Sequence, residues 1–280
     1  MNCSKVISNA AYILKKKLIA NPYLDSEILL SKTLKITREK LLLNLDRKIK
    51  NNELIEFNKL LDRRKKKEPV AHILGYKSFW KSNFKVNKDV LIPRPETEHI
   101  VEEVLKMIPK LGSFNILDIG TGSGCLIISI LLERRRSHGT AVDISKKAIN
   151  LAKYNAKIQH IQNRIKFINS NIDKFYQGKY DLIISNPPYI KNYKINYLDD
   201  DVKLYEPKVA LDGGIDGYSK TKKVIEKSSK LLKTNGKLVL EIDNKQKIFI
   251  NEILKKNGFY INKIVKDLAK KYRCIISTKI

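Results

Sequence analysis

Phe114-Asn115-Ile116-Leu117-Asp118-Ile119-Gly120-Thr121-Gly122-Ser123-Gly124-Cys125-Leu126-Ile127-Ile128 is the stretch that decides the fold. It opens as an apolar run of strand length and continues past Gly124 as an apolar run long enough for a helix. Three glycines at alternate positions join the two, so this is the first half of a βαβ unit, with its loop at the carboxyl edge of a sheet where open α/β folds bind ligands. Glycine lets the backbone approach a ligand closely. The spacing is not the G-x-G-x-x-G of dinucleotide sites, and no lysine follows as a phosphate-binding P-loop requires. A pyrophosphate ligand is therefore disfavoured, and Gly120, Thr121, Gly122, Ser123 and Gly124 become candidate contacts for a different nucleoside.

Downstream the same alternation repeats. Strand-like runs at residues 139–142, 165–168, 182–185 and 237–242 are separated by helical stretches, and two further strand candidates close the chain at 260–265 and 274–278. Such a pattern predicts a mostly parallel sheet covered by helices and ending in an antiparallel pair. Asp143 ends the second strand about 20 residues after the glycines, where a carboxylate accepts both hydroxyls of a ribose. Asn171, after the third, is placed to meet adenine. S-adenosyl-L-methionine suits this set: it carries a ribose, no phosphate and a sulfonium cation. Asp118 has two readings, as a charge near that sulfonium or as a structural acceptor that orients the glycine loop.

The fourth strand ends in Asn186-Pro187-Pro188-Tyr189. Both prolines lack a backbone N–H and have fixed φ, which makes a stiff loop of outward-facing carbonyls. Asn186 and Pro187 are candidate catalytic residues, because the Asn186 side-chain oxygen and the Pro187 carbonyl can each accept one N–H of a planar –NH2 group. Pro188 shapes that substrate cradle and the Tyr189 ring covers one face of the bound group. Asn186 also counts among the cofactor contacts. The bland reading of the tetrapeptide is a plain loop.

Composition limits the alternatives. The chain has 280 residues, 42% hydrophobic and 30% charged. No apolar run approaches the ~20 residues of a membrane span, and Met1-Asn2-Cys3-Ser4-Lys5 lacks an apolar signal core, which points to the cytoplasm. Cys3, Cys125 and Cys274 are far apart and lack metal-ligand spacing, so neither a disulfide framework nor a metal site is expected. The net charge of +27 suggests an anionic partner. Lysines are nevertheless spread through every segment together with isoleucine and asparagine, as codon bias produces, and direct nucleic-acid binding is an open reading rather than a requirement. The densest run, Arg63-Arg64-Lys65-Lys66-Lys67, sits at a helix end, where cations also suit the dipole.

Residues 1–74 contain no glycine and carry helical periodicity at 6–18, 22–34 and 52–64, with Thr37 as a cap before a further helix. They predict a small all-helical domain that recognises a partner or merely packs on the rest. Residues 75–94 read as a hairpin connector and 95–280 as the catalytic domain. Pro95 opens a helix, and Glu96 and Glu98 either complement its dipole or point over the cofactor. His72, His99, His138 and His160 lie outside these motifs.

Taken together, the glycine loop, Asp143 and Asn186-Pro187-Pro188-Tyr189 resemble the class I methyltransferases that act on glutamine side chains, and within them the release factor glutamine methyltransferase family. The similarity runs through nearly the whole chain, including residues 24–30, 75–80 and 91–98, then Tyr205-Glu206-Pro207, and Glu241-Ile242 before Gln246. It implies a Rossmann-like fold with S-adenosyl-L-methionine as cofactor. It also implies class 1 peptide chain release factors as partners, with the glutamine of their Gly-Gly-Gln motif as methyl acceptor and the N-terminal helices helping to recognise them. Asp243 and Lys270-Lys271 depart from the family pattern at positions where glycine is expected. The nearest rival is an enzyme that methylates an amino group of a base in DNA or rRNA; against it, residues 190–208 are short for an inserted base-recognition domain. A sister enzyme acting on a ribosomal-protein glutamine is not expected to carry Arg94-Pro95-Glu96-Thr97-Glu98. A non-catalytic RNA-binding scaffold is disfavoured by the intact glycines, Asp143 and Asn186.

Overall fold

The computed structural model describes residues 1–280 and divides into two compact units, Met1–Tyr76 with Asp199–Tyr205, and Lys77–Leu198 with Glu206–Ile280. The first is helical: α1 (Cys3–Lys16), α2 (Pro22–Leu34), α3 (Arg38–Leu42), α4 (Asn51–Lys65) and α5 (Val70–Leu74). Local chemistry sets its boundaries. The Asn2 side chain accepts from the Lys5 amide, Pro22 opens α2, and Thr37 accepts from the Lys40 amide, as its cap-like position predicts. Leu14, Leu29, Leu30, Leu41 and Phe57 fill the core. Arg64, from the basic run, is buried and paired with Asp25 at 2.7 Å and with Asp201 at 3.5 Å, so the segment after Leu198 is held by a cation of the helical unit. Composition gave no sign of that segment's place.

The hairpin β1 (Tyr76–Phe79) and β2 (Ser82–Lys85) begins at the last residue of the first unit and leads into the second, followed by a 3-10 turn, Pro95–Thr97. Then follow α6 (Glu98–Met107), β3 (Asn115–Ile119), α7 (Cys125–Glu133), β4 (His138–Asp143), α8 (Lys146–Ile158), β5 (Ile165–Asn169) and β6 (Tyr180–Ser185). After the short α9 (Asp200–Lys203), which belongs to the first unit, come α10 (Ser219–Leu231), β7 (Leu232–Glu241), α11 (Lys247–Lys256), β8 (Phe259–Lys266) and β9 (Tyr272–Lys279). Seven strands form one sheet in the order β5-β4-β3-β6-β7-β9-β8, parallel except for β9. Alternation along β3 divides the core: Ile116 faces α6 and α7 with Ile127 and Val104, whereas Leu117 and Ile119 face α10 and α11 with Ile225 and Ile250. All three cysteines are free and buried.

The order reverses beside β3, since the chain builds outward to β4 and β5 before returning to β6 on the other flank. Such a reversal opens a crevice at the carboxyl ends of the strands. Register then fixes what meets there. Ile119 is opposite both Val142 and Ser185, and Ser185 is opposite Leu240. One residue further on, Asp143, Gly120, Asn186 and Glu241 therefore stand in a row along the sheet edge.

Neither departure from the family pattern disturbs this frame equally. Asp243 has φ −72° and accepts from the Lys245 amide at 2.9 Å, so no glycine is needed there. Lys270 does adopt the left-handed conformation, φ 60°, in the turn closed by Asp267 and Lys271. Replacing it with glycine relieves that conformation, and Lys270→Gly is expected to stabilise the protein by roughly 0.5–1 kcal/mol in denaturant titration.

Candidate active site

The cleft at the sheet edge is walled by Gly120, Thr121, Gly122 and Ser123, by Asp143, by Ser170 and Asn171, and by Asn186, Pro187 and Pro188. Gly124 lies outside those walls, at the N-cap of α7 with φ +81°. Gly120 and Gly122 have φ of +74° and +56°, and nothing lies within 4 Å of where a Cβ would stand. Their peptides are thus bare toward the cleft, the surface a closely bound ligand needs. Asp143 accepts from the Gly122 amide at 2.9 Å and from the Ser145 amide at 2.8 Å, one bond per oxygen. Each oxygen keeps a second lone pair for a ribose hydroxyl, so the donor set fits an adenosyl ligand. Asn171 lines the wall while its side chain accepts from the Asp173 amide at 3.0 Å.

Asp118 resolves in favour of its structural reading. It is fully buried beneath the loop, accepts from the Thr121 hydroxyl at 2.7 Å and is not a wall of the cleft. Its second oxygen has no partner. Burial pushes its carboxyl up to about 7, the Thr121 hydroxyl opposes the rise and the negative charge of Asp143 adds to it. A carboxyl raised in the folded state lends stability that is present below pH about 4 and lost as pH rises through about 7. Asp118→Asn keeps an acceptor for Thr121 and removes that loss, so cofactor-free protein should gain on the order of 2 kcal/mol at pH 8 and nothing at pH 4. Melting curves at the two pH values measure it; Glu241, also raised to about 7 by burial, keeps a residual slope.

On the other flank, the Asn186 Nδ2 donates to the Thr97 Oγ1 at 3.1 Å. Its loop is braced from below. Gln246 donates to the Tyr189 carbonyl at 3.1 Å and to the Gly217 carbonyl at 2.8 Å, and Ile190 exchanges backbone bonds with Leu211 and Gly213. A Cβ on Gly213 would stand 2.8 Å from the Tyr189 Cα, so only glycine fits under the loop. Tyr189 is partly buried, stands outside the cleft walls, and burial pushes its phenol up to about 12.

Glu96 and Glu98 both point elsewhere. Glu98 accepts from the Trp80 amide at 2.8 Å, Glu96 faces Arg273 at 3.7 Å, and it is Thr97 between them that lines the cleft. Sequence reasoning also passed over Glu206, which accepts from the Ile92 amide at 3.1 Å and pairs with Arg94 at 2.5 Å, pinning the wall formed by Leu91, Pro93 and Arg94. Asn155 was missed too. Its amide bonds the Ser123 carbonyl at 2.8 Å and the Lys85 backbone at 2.8 and 3.1 Å, stitching the hairpin to the glycine loop. The only trace of the Glu206 contact in sequence was that residues 91–98 and Tyr205-Glu206-Pro207 both carry the family resemblance. Asn155 left none, being one polar residue in an amphipathic helix. None of the four histidines is a wall of the cleft, and no helix is long and apolar enough to cross a membrane.

Two family models match the chain, a PrmC N-terminal domain over residues 5–75 and a methyltransferase small domain over residues 100–199. Among solved structures, a methyltransferase of Pyrococcus furiosus shares the fold with a TM-score of 0.54 at 21% identity, over 72% of this chain and 91% of that one. The chain is 34% identical to the release factor glutamine methyltransferase of Caulobacter vibrioides, over 95% of its own length and 92% of that protein. It is 38% identical to the enzyme of that name in Clostridium botulinum, over 95% of each. It is also 36% identical to a bifunctional methyltransferase of Rickettsia felis, of whose length it spans 58%. The chain is thus a methyltransferase whose cofactor is S-adenosyl-L-methionine, and it belongs to the release factor glutamine methyltransferase family.

Proposed function

We propose that this enzyme methylates the side-chain amide nitrogen, N5, of the glutamine in the Gly-Gly-Gln motif of class 1 peptide chain release factors, and so supports translation termination in the cytoplasm. The observation that carries the reading is the Asn186 carboxamide. Its NH2 is committed to Thr97, which leaves its oxygen beside Pro187 at the cleft wall as an acceptor. An amide nitrogen is a poor nucleophile because its lone pair is delocalised. Asn186 Oδ1 and the Pro187 carbonyl hold its two N–H bonds, turn the lone pair toward the methyl group and favour the partly positive nitrogen of the transition state. Pro187 and Pro188 present carbonyls with no competing N–H. S-adenosyl-L-methionine, when bound, supplies a methyl group activated by positively charged sulfur.

Gly120, Thr121, Gly122, Ser123 and Gly124 form the loop that holds the cofactor, Asp143 takes its ribose and Asn171 its adenine, while Tyr189 anchors the substrate loop through its backbone. The helical unit 1–74 recognises the release factor, the hairpin 75–94 connects, and residues 95–280 catalyse.

Labelled S-adenosyl-L-methionine tests the reading against four acceptors: a release factor, the same factor with its Gly-Gly-Gln glutamine changed to alanine, rRNA and DNA. Label should reach the first alone. Label on either nucleic acid, or on the alanine variant, overturns the assignment.

A further inference from the structure

Asn186 stands next to Glu241 in the row at the sheet edge, and Thr97 bridges the two. Thr97 and Glu241 are both buried. The Thr97 Oγ1 accepts from the Asn186 Nδ2 at 3.1 Å, and its hydroxyl faces the Glu241 carboxylate, whose Oε2 is buried without a partner. A hydroxyl has one proton. Once that proton is given to a carboxylate, the oxygen has only lone pairs left, and it takes the NH2 end of a neighbouring carboxamide rather than the C=O end. Thr97 is the hydrogen-bond partner of the Asn186 side chain, so this polarity decides which way up the carboxamide sits.

We propose that Thr97 and Glu241 are positioning residues for the methyl transfer: the Glu241 carboxylate, acting through the Thr97 hydroxyl, keeps the Asn186 oxygen turned toward the substrate amide. The proposal rests on the reading of that oxygen as an acceptor of a substrate N–H. When Glu241 is protonated it becomes a donor to Thr97. The Thr97 hydroxyl is then free to donate to the Asn186 oxygen, the carboxamide turns over, and its NH2 meets an N–H of the substrate, which no longer finds an acceptor.

The relay therefore carries a pH signature. Burial pushes Glu241 up to about 7, while the Thr97 hydroxyl, Arg273 and Arg94 hold it down and Glu96 raises it. Tyr189 from the substrate loop, Cys274 of β9 and Cys125 of α7 also face it; burial pushes all three groups up and keeps them protonated near neutrality. The charge that changes near pH 7 at this point is that of Glu241. The transfer rate should rise as Glu241 loses its proton.

The test compares Thr97→Val, Thr97→Ser, Glu241→Gln and Asn186→Ala for kcat from pH 6 to 9, with cofactor affinity by calorimetry and melting temperature on each protein. Thr97→Val should lower kcat roughly ten-fold to 10²-fold with cofactor affinity little changed, and Thr97→Ser should restore most of it. Glu241→Gln should abolish the rise of kcat near pH 7. Thr97→Val with the wild-type kcat, Thr97→Ser as impaired as Thr97→Val, or a rise that survives in Glu241→Gln would each overturn the relay. Should Thr97→Val fail to fold, the pH profile of Glu241→Gln decides alone. Loss of activity in Asn186→Ala beside full activity in Thr97→Val sinks the relay only, whereas an active Asn186→Ala sinks the underlying reading of Asn186.

Discussion

Asn186→Ala should lower kcat by on the order of 10²- to 10³-fold and shift cofactor affinity by no more than a few-fold. The asymmetry follows from where the side chain acts. Asn186 is at the end of β6, one strand away from the glycine loop, and its oxygen serves the acceptor amide as positive charge develops on the nitrogen. An acceptor aimed at charge that appears only in the transition state lowers the barrier without tightening the ground state. Asn186→Asp keeps an oxygen toward the substrate but sets a carboxylate against the Thr97 oxygen, whose proton the proposed relay gives to Glu241. It should therefore recover only part of the loss. Single-turnover rates at saturating cofactor separate the chemical step from binding. An Asn186→Ala enzyme with near-normal turnover would falsify the role assigned to Asn186 and Pro187 together.

The residues that decide the fold were legible because their signals are local. A strand, alternate glycines and a helix follow one another within a few residues at 114–128, and a second strand ends in two prolines. Strand and helix positions recur at the expected intervals, and β8 and β9 close the sheet antiparallel. The neighbours of the site were illegible for the opposite reason. Thr97, Glu206, Glu241 and Gln246 each act on residues far away in sequence. Nothing in local periodicity separates Glu241, which is buried at the end of β7, from the charged residues around it. Of the two readings of Glu96 and Glu98, the one over the cofactor fails: they face Arg273 and the Trp80 amide and leave the cleft to the threonine between them, a choice that long-range contacts make and local pattern does not show.

Asp143 carries the second large effect, and it falls on binding instead of turnover. Its two oxygens receive the Gly122 and Ser145 amides at 2.9 and 2.8 Å, so a single carboxylate ties the glycine loop to the turn that starts α8. Asp143→Ala leaves both amides without that acceptor and removes the acceptors for the ribose. Two hydrogen bonds to a charged group are at stake, and cofactor affinity should fall by roughly 10²- to 10³-fold. Asparagine is no rescue here. Whichever way its carboxamide turns, the NH2 faces one of two backbone N–H donors, and one bond becomes a clash of donors. Asp143→Asn should therefore bind nearly as weakly as Asp143→Ala, although aspartate and asparagine have nearly the same shape. Burial raises the Asp143 carboxyl, with the Ser145 and Gly122 amides opposing the rise. Both amides need the charged form, so wild-type affinity is greatest above the raised value and fades as pH falls through it, earlier than an ordinary aspartate would allow. Calorimetric titration of the three proteins at pH 8, and of the wild type down to pH 5, measures both effects. Wild-type affinity in Asp143→Asn would mean that the carboxylate does not hold the loop, and that the cofactor relies on the bare peptides of Gly120 and Gly122 without it.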